Sequence, residues 1–418
     1  MLTVLHPQIK PQIASFQGGL LPVRLPGDKR LSLVVKVGKE MILAAKVRGG
    51  FAFYLPKLSS TSGLTTSLVT AFFDDADEPL TLTSAMFGDD AWTHGILEIL
   101  RYDEVDIYFF DDQNYEWLSY RTTLDDPGSC LIGEESIYLL DYHPQNAQGI
   151  HEALQNWFGW RDEKDDEQAI RAVFAEPLSP EELYVMDMTV ENNSYLGSGG
   201  FRRDSLTRDD PGYYQERDIS VCLLRALDPY KIMMNPRRKD SNKEILDHLV
   251  LTDDVAVLIQ AKDSPTTEPS LGRSIDRKRK MTHQQIGAAI KQINGAARYL
   301  AREKTAKLIV GGKDVEVTLG ERRVIGLAIV KELFDDEGEA YAVACASMAG
   351  LKGGGIVMDY LSFHAFTHHF SNEPGFIAAL ELLAREVRSG KWIKPKEFVV
   401  ESVLAALAEQ RGYSEKPE

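Results

Sequence analysis

The chain has 418 residues, 44% of them hydrophobic and 26% charged, which excludes global disorder and fits two or three domains. Its net charge of −16 is unevenly placed: residues 1–195 carry −17 and residues 196–418 carry +1, so the first part repels a polyanion and the second does not. No run of ~18 apolar residues and no basic start before an apolar core occurs, which excludes a membrane span and a secretory signal, and the expected location is cytoplasmic.

Residues 1–195 read as an acidic, β-rich α+β domain with a regulatory or recognition role. Leu20–Leu25, Leu31–Val37, Met41–Val47 and Phe51–Leu55 read as strands, broken by Gly27, Gly38 and Gly49–Gly50. Ser67–Phe73, Leu80–Phe87, Val105–Phe110 and Tyr115–Arg121 continue the pattern, while Asp90–Arg101 is compatible with both helix and strand. Asn146–Trp160 has apolar residues at helical spacing, and Asp166–Phe174 reads as a second helical segment. The aspartate pairs 74–75, 111–112 and 125–126 fit solvated turns. From Asn192 to Pro211 the chain is rich in Gly, Ser, Asn and Asp, which predicts a linker and a domain boundary near Tyr195.

Residues 196–418 alternate helices with strands, the pattern of an α/β domain. Tyr213–Leu227 carries a helical stripe of Ile219, Cys222, Leu223 and Ala226, with Glu216 in its first turn. Two apolar runs follow, Ile245–Leu251 and Val255–Ala261, each too short for a typical helix. If Asp253 and Asp254 form a two-residue hairpin loop, Thr252 faces Val255 and Asp247 lies across from Gln260. Strand alternation then puts Gln260 and Lys262 on one side. A carboxylate, an amide and an ammonium meet at the open end of the hairpin, a set suited to a divalent metal and a phosphate.

Downstream, residues 264–270 read as a loop, and the basic run Arg277, Lys278, Arg279 and Lys280 leads into a helix with Gln285, Gln292 and Tyr299 spaced by seven. The stretches KLIVGG, VEVTL, RRVIGLAIV and EAYAVACASM read as strands, followed by a glycine-rich turn at 350–355. Helices over Phe376–Arg388 and Phe398–Arg411 and a polar tail finish the chain.

The order of acidic helix, Asp-bearing strand and Gln-x-Lys strand resembles the PD-(D/E)xK nuclease superfamily, with its restriction-endonuclease-like fold. The resemblance covers residues 210–300 well and 300–395 loosely, and leaves residues 1–195 outside it. Glu216 matches the helix glutamate, Asp247 the strand aspartate, and Gln260-Ala261-Lys262 the (D/E)-x-K element. Gln260 departs from the usual carboxylate and is similar to the variant of Mrr-type restriction enzymes and some archaeal-type resolvases. An amide oxygen is a neutral, weaker ligand for a hard cation.

The resemblance implies a Mg²⁺- or Mn²⁺-dependent deoxyribonuclease, an endonuclease compatible with restriction of foreign DNA, on a fold that also serves repair and recombination. Asp247, Glu216, Gln260 and the Ala261 carbonyl would hold the ion, and Lys262 would orient or help deprotonate the attacking water or stabilise the transition state. Arg277–Lys280 would contact backbone phosphates, and Gln285 and Gln292 would reach the scissile phosphate. Two other functions fit the same residues: an inactive nuclease-fold protein that binds nucleic acid or a partner, and a ribonuclease. A homodimer, or a protein partner on the acidic domain, is compatible with either.

Three features are decoys. His364, His368 and His369 lack a third ligand at zinc spacing. Residues 350–355 lack the phosphate-loop pattern. Cys130, Cys222 and Cys345 are odd in number and far apart, so neither a disulfide framework nor a zinc site follows.

Overall fold

The computed structural model describes residues 1–60, 63–75, 78–125, 137–155, 157–180, 185–187, 202–302, 304–390 and 392–410. Tyr195, Cys130, Asp126, much of the expected linker and the terminal tail lie outside the described residues. The chain forms two compact units. One comprises Met1–Leu183, Thr266–Arg273 and Val403–Glu418; the other comprises Tyr184–Pro265 and Ser274–Ser402.

The first unit is built on an eight-stranded sheet. Its members are β1 (Gly19–Arg24), β2 (Leu31–Lys36), β3 (Gly50–Tyr54), β4 (Leu68–Phe72), β5 (Leu80–Ser84), β6 (Glu104–Phe110), β7 (Glu116–Asp125) and β8 (Ile170–Pro177), in the order β1-β2-β6-β7-β8-β3-β4-β5. Every neighbouring pair is antiparallel except β2 and β6. A cluster of Phe51, Phe53, Phe72, Phe109 and Phe174 packs edge-to-face and stacked on one side of it.

Three expectations fail in this unit. Met41–Val47 is not a strand but part of helix α1 (Lys39–Arg48), because Lys, Glu, Met, Leu and Ala all favour helix and Gly38 and Gly49 cap its two ends. Gly49, at φ 67°, ends α1 by donating to the Ala45 and Lys46 carbonyls. The helix expected over Asp166–Phe174 stops at Glu167, and Ile170 and Ala172 then alternate inward as strand β8. The aspartates expected in solvated turns include buried ones. Asp111 accepts from the backbone N–H of Gln113 and Tyr115, from Trp117 Nε1, and pairs with Lys39; Asp74 accepts from the Leu80 N–H. Asp90–Arg101 resolves as helix α2 (Ala91–Ile99), capped by the Asp90 carboxylate.

The second unit is a mixed α/β structure. Helix α3 (Pro211–Leu223) precedes β9 (Ile232–Met234), the short β10 (Arg237–Arg238), β11 (His248–Leu251) and β12 (Val255–Lys262). Helix α4 (Ile275–Arg302) crosses to β13 (Ala306–Val310), β14 (Lys313–Val317) and β15 (Arg323–Val330). Helix α5 (Gly338–Ala346), strand β16 (Gly354–Asp359), helices α6 (Tyr360–His369) and α7 (Glu373–Arg388), and the part of α8 (Pro395–Gln410) up to Ser402 complete the order. The main sheet runs β9-β11-β12-β15-β16, antiparallel through β12 and parallel beyond it. A smaller sheet runs β10-β13-β14.

Ile286, Ala289, Ile290, Ile293, Ala296 and Leu300 give α4 an apolar stripe at intervals of three and four. It packs on Ala256, Leu258, Ala328 and Val330 of the sheet, each buried Ile or Leu contributing roughly 1.5–3 kcal/mol. Residues 339–348, expected as strand, form α5, because Tyr341 and Cys345 one turn apart take the buried positions. The glycines at 353–355 are required by packing. A Cβ on Gly353 would stand 2.7 Å from the Val324 carbonyl oxygen, and one on Gly355 2.4 Å from Met348.

Candidate functional site

The hairpin of β11 and β12 has the expected register, with His248 opposite Ile259 and Leu251 opposite Ala256. Thr252 N–H donates to the Val255 carbonyl at 2.9 Å and closes a two-residue loop. In that pattern Val255, Val257, Ile259 and Ala261 turn their peptide groups toward β11. The strand β11 begins only at His248, so Ala261 has no backbone partner on that side among the described residues. The Asp247 carboxylate takes its place, with Oδ2 accepting from Ala261 N–H at 2.7 Å. The Ala261 carbonyl points the same way as its N–H. An aspartate and a carbonyl oxygen thus stand side by side where the two strands part.

Glu216 reaches the same place from α3. A buried His248 fixes that helix under the sheet, its Nε2 2.7 Å from Ser220 Oγ, which also donates to the Glu216 carbonyl at 3.0 Å. Burial pushes the His248 ring down to about 3, so it is neutral and packs as a core group. The start of α3 is held by a buried ion triad. Arg208 donates to Asp204 Oδ1 at 2.7 Å and to Asp218 Oδ2 at 2.6 Å, and stacks over Tyr214.

Asn235, outside the sequence reading, joins the two acids. Its Nδ2 donates to Glu216 Oε2 at 2.8 Å, and its backbone N–H donates to the Asp247 carbonyl at 2.7 Å. It does so from the left-handed region, φ 49°, which Asn tolerates better than most residues. An Asn after a short apolar run and before Pro236 is the only signal the sequence offers for this turn.

The two carboxyls are electrostatically strained. Burial pushes Asp247 up to about 6, although the Ala261 N–H, the Lys262 charge and the Gln260 amide all pull it down. Burial likewise pushes Glu216 up to about 7, against the Asn235 hydrogen bond and Lys262, with Asp247 and Glu244 adding repulsion. Gln260 is fully buried; its Nε2 faces the Ala261 carbonyl at 3.5 Å, while its Oε1 has no hydrogen-bond partner among the described residues. Lys262 is half-buried at the end of β12.

These groups fit a hard divalent cation. The donors are two carboxylates and a backbone carbonyl, and a flip of the Gln260 amide would add its oxygen in place of the nitrogen that now faces that carbonyl; a cation would relieve both raised acids. Among the described residues no group of three or more His, Cys, Asp and Glu gathers for a metal, so such a site depends on Gln260 and Ala261 to complete it.

The residues expected to touch nucleic acid divide. Gln285 lies beside the site, but its Nε2 donates to the Asp263 carbonyl at 3.1 Å and to Ser264 Oγ at 2.8 Å, bracing the turn after Lys262. Gln292 is exposed two turns further on, roughly 10 Å along α4 and away from the open end of β12. The basic run lies inside the first turns of α4 rather than ahead of it. Arg279 pairs with Asp336 at 2.6 Å and rests on Phe334, whereas Arg277 and Lys280 are exposed and Lys278 half-buried. Of the decoy histidines, His364 is buried, with its ring 6.2 Å from that of His368.

Comparison with protein-family models, with curated proteins and with solved structures finds no match to this chain.

Proposed function

We propose that the second unit is a divalent-metal-dependent nuclease of the restriction-endonuclease-like, PD-(D/E)xK type, acting as an endonuclease on DNA. The observation that carries this reading is the meeting of Glu216, Asp247, Gln260, the Ala261 carbonyl and Lys262 at the point where β11 leaves β12. The element order supports it: an acidic helix, an Asp-bearing strand paired with the Gln-x-Lys strand and a helix after them are what the resemblance implies.

Asp247, Glu216, Gln260 Oε1 and the Ala261 carbonyl would hold Mg²⁺ or Mn²⁺. When bound, such an ion lowers the pKa of an attacking water and offsets charge on the phosphoryl oxygens. The chain's own groups do the rest. Phosphodiester hydrolysis forms a bond from water oxygen to phosphorus and breaks the bond to one ester oxygen, so negative charge grows at the phosphate. The Lys262 ammonium pulls both carboxyls down and would orient the water or balance that charge. Asn235 fixes the distance between the two acids.

The test is cleavage of supercoiled plasmid, linear DNA and RNA in Mg²⁺ and Mn²⁺ by the wild type, Asp247→Ala and Lys262→Ala. DNA should be cut by the wild type alone, each variant losing at least ~10²-fold as expected for a directly acting group. Equal cutting by all three, or none by the wild type, would sink the reading, and preference for RNA would reassign the substrate. A role in restriction of foreign DNA predicts a lower phage plating efficiency in cells expressing the wild type than in cells expressing Asp247→Ala.

A further inference from the structure

The first unit contains a cavity of about 590 Å³, within the size range of small-ligand sites. It lies on the face of the sheet opposite the phenylalanine cluster, where β3 and β8 are neighbours. On that face Gly50 and Ala52 of β3 stand opposite Val173 and Arg171 of β8. Small side chains lower this floor, and Gly50 cannot be enlarged, because a Cβ there would lie 2.1 Å from the Ala172 carbonyl oxygen. Val173, 46% exposed, leaves apolar surface open to solvent. Ala169 continues the floor, and Tyr54, Phe73, Arg48, Arg161 and Asp166 form the walls.

The charge of the cavity opposes that of its surroundings. Residues 1–195 hold only seven arginines in a segment of net charge −17, and three of them line this one cavity with a single carboxylate. That carboxylate, Asp166, is satisfied locally: Tyr54 OH donates to it at 3.0 Å and Arg161 Nε at 3.0 Å. Arg161 is further fixed over the Phe158 ring at 4.1 Å. Arg48 is oriented by its Nε, which donates to the Phe73 carbonyl at 2.9 Å, and Arg171 projects into solvent from the floor.

We propose that this cavity binds a nucleoside phosphate, with the base on the floor at Gly50 and Val173 beside Phe73 and the phosphates on Arg48 and Arg171. A flat ring suits a shallow apolar floor, and guanidinium forks pair with phosphate oxygens in a bidentate way. One cation on a wall and one on the floor favour a ligand with several negative charges over a monocarboxylate. This inference does not depend on the nuclease reading of the second unit.

Equilibrium dialysis of the full chain with labelled ATP, GTP, CTP and UTP, in EDTA, provides the test. Excluding divalent ions keeps phosphate chemistry at Asp247 and Glu216 out of the measurement. At least one nucleotide should bind saturably at one per chain, and Arg48→Glu and Arg171→Glu should each weaken it at least ten-fold. Both side chains are exposed, so the fold should survive; Val173→Trp, which fills the floor without changing charge, should weaken binding by a similar factor and decides the matter if it does not. Lys262→Ala should bind as the wild type does. No saturable binding up to millimolar nucleotide, full binding by Arg171→Glu and Val173→Trp, or loss in Lys262→Ala would overturn the proposal. Competition by inorganic phosphate or benzoate as strong as by nucleotide would overturn the ligand class.

Discussion

Asp247→Asn should make the metal-free protein more stable at pH 8 while removing its response to divalent ions. Asn keeps an oxygen for the Ala261 N–H, so the bond that replaces the missing strand partner survives. What disappears is the buried charge. Holding the Asp247 proton up to about 6 rather than the ordinary 3.8 corresponds to roughly 3 kcal/mol spent on ionising the folded protein at pH 8. That figure is already net of the attraction to Lys262; the cost of burying the Asn amide offsets part of it, leaving a gain of about 1–3 kcal/mol. For a unit of this size that is roughly 2–10 °C in Tm.

The pH dependence gives the sharper check. The raised carboxyl means the folded chain holds a proton that the unfolded chain has released between about pH 4 and pH 6. Its stabilisation is complete below that window and lost above it, so the advantage of Asn over Asp should vanish near pH 4. Calorimetric melts at pH 4, 6 and 8, with and without Mn²⁺, read both effects. Mn²⁺ should raise the Tm of the wild type at pH 8 and leave the variant unmoved. A gain independent of pH, or a variant less stable than wild type at pH 8, would refute the account of Asp247 as a desolvated acid.

Two further substitutions test the scaffold. Arg208→Met leaves Asp204 and Asp218 buried without their cation and should cost about 3–5 kcal/mol in urea unfolding, with most of it recovered when both aspartates are also changed to Asn; a loss under about 1 kcal/mol would show that the triad is idle. Asn235→Ala should be less stable than Asn235→Gly by about 1 kcal/mol, because both lose the bond to Glu216 but only Ala pays for the left-handed backbone. Mn²⁺ affinity measured by calorimetric titration should fall in both, and the reverse order of stability would count against the turn as described.

The hairpin was legible because each strand is a short apolar run and a two-residue loop leaves one register, which places Asp247 across from Gln260. The substitution of a carboxylate for a backbone partner was not, since nothing in the sequence marks β11 as starting at His248. Local patterns misled where two periods coexist. Residues 339–348 alternate well enough for a strand, but Tyr341 and Cys345 meet the core one helical turn apart. The acidic start at 163–167 looks like the beginning of a long helix, yet the alternation from Ile170 is decisive once a sheet lies beneath it. Charge was a poor guide at Asp111, which gathers two backbone N–H groups and an indole N–H in the interior. Asn235 and the Arg171 cavity depend on residues far apart in sequence, and spacing carries no trace of them.

The early start of the site along the chain has a consequence for folding. Glu216, Asn235, Asp247 and Lys262 are all synthesised before the crossing helix α4, whereas the parallel partner of β12 arrives only at Arg323. Antiparallel contacts of low sequence separation form faster than a parallel pairing across such a crossover. A nascent chain therefore assembles its acids beside a strand, VAVLIQAK, whose second edge is still bare. That edge is apolar and almost uncharged, a template for pairing with another chain. Soluble yield should thus be governed by how quickly β15 covers it, and crowded refolding should be lossy even for variants whose finished fold is sound.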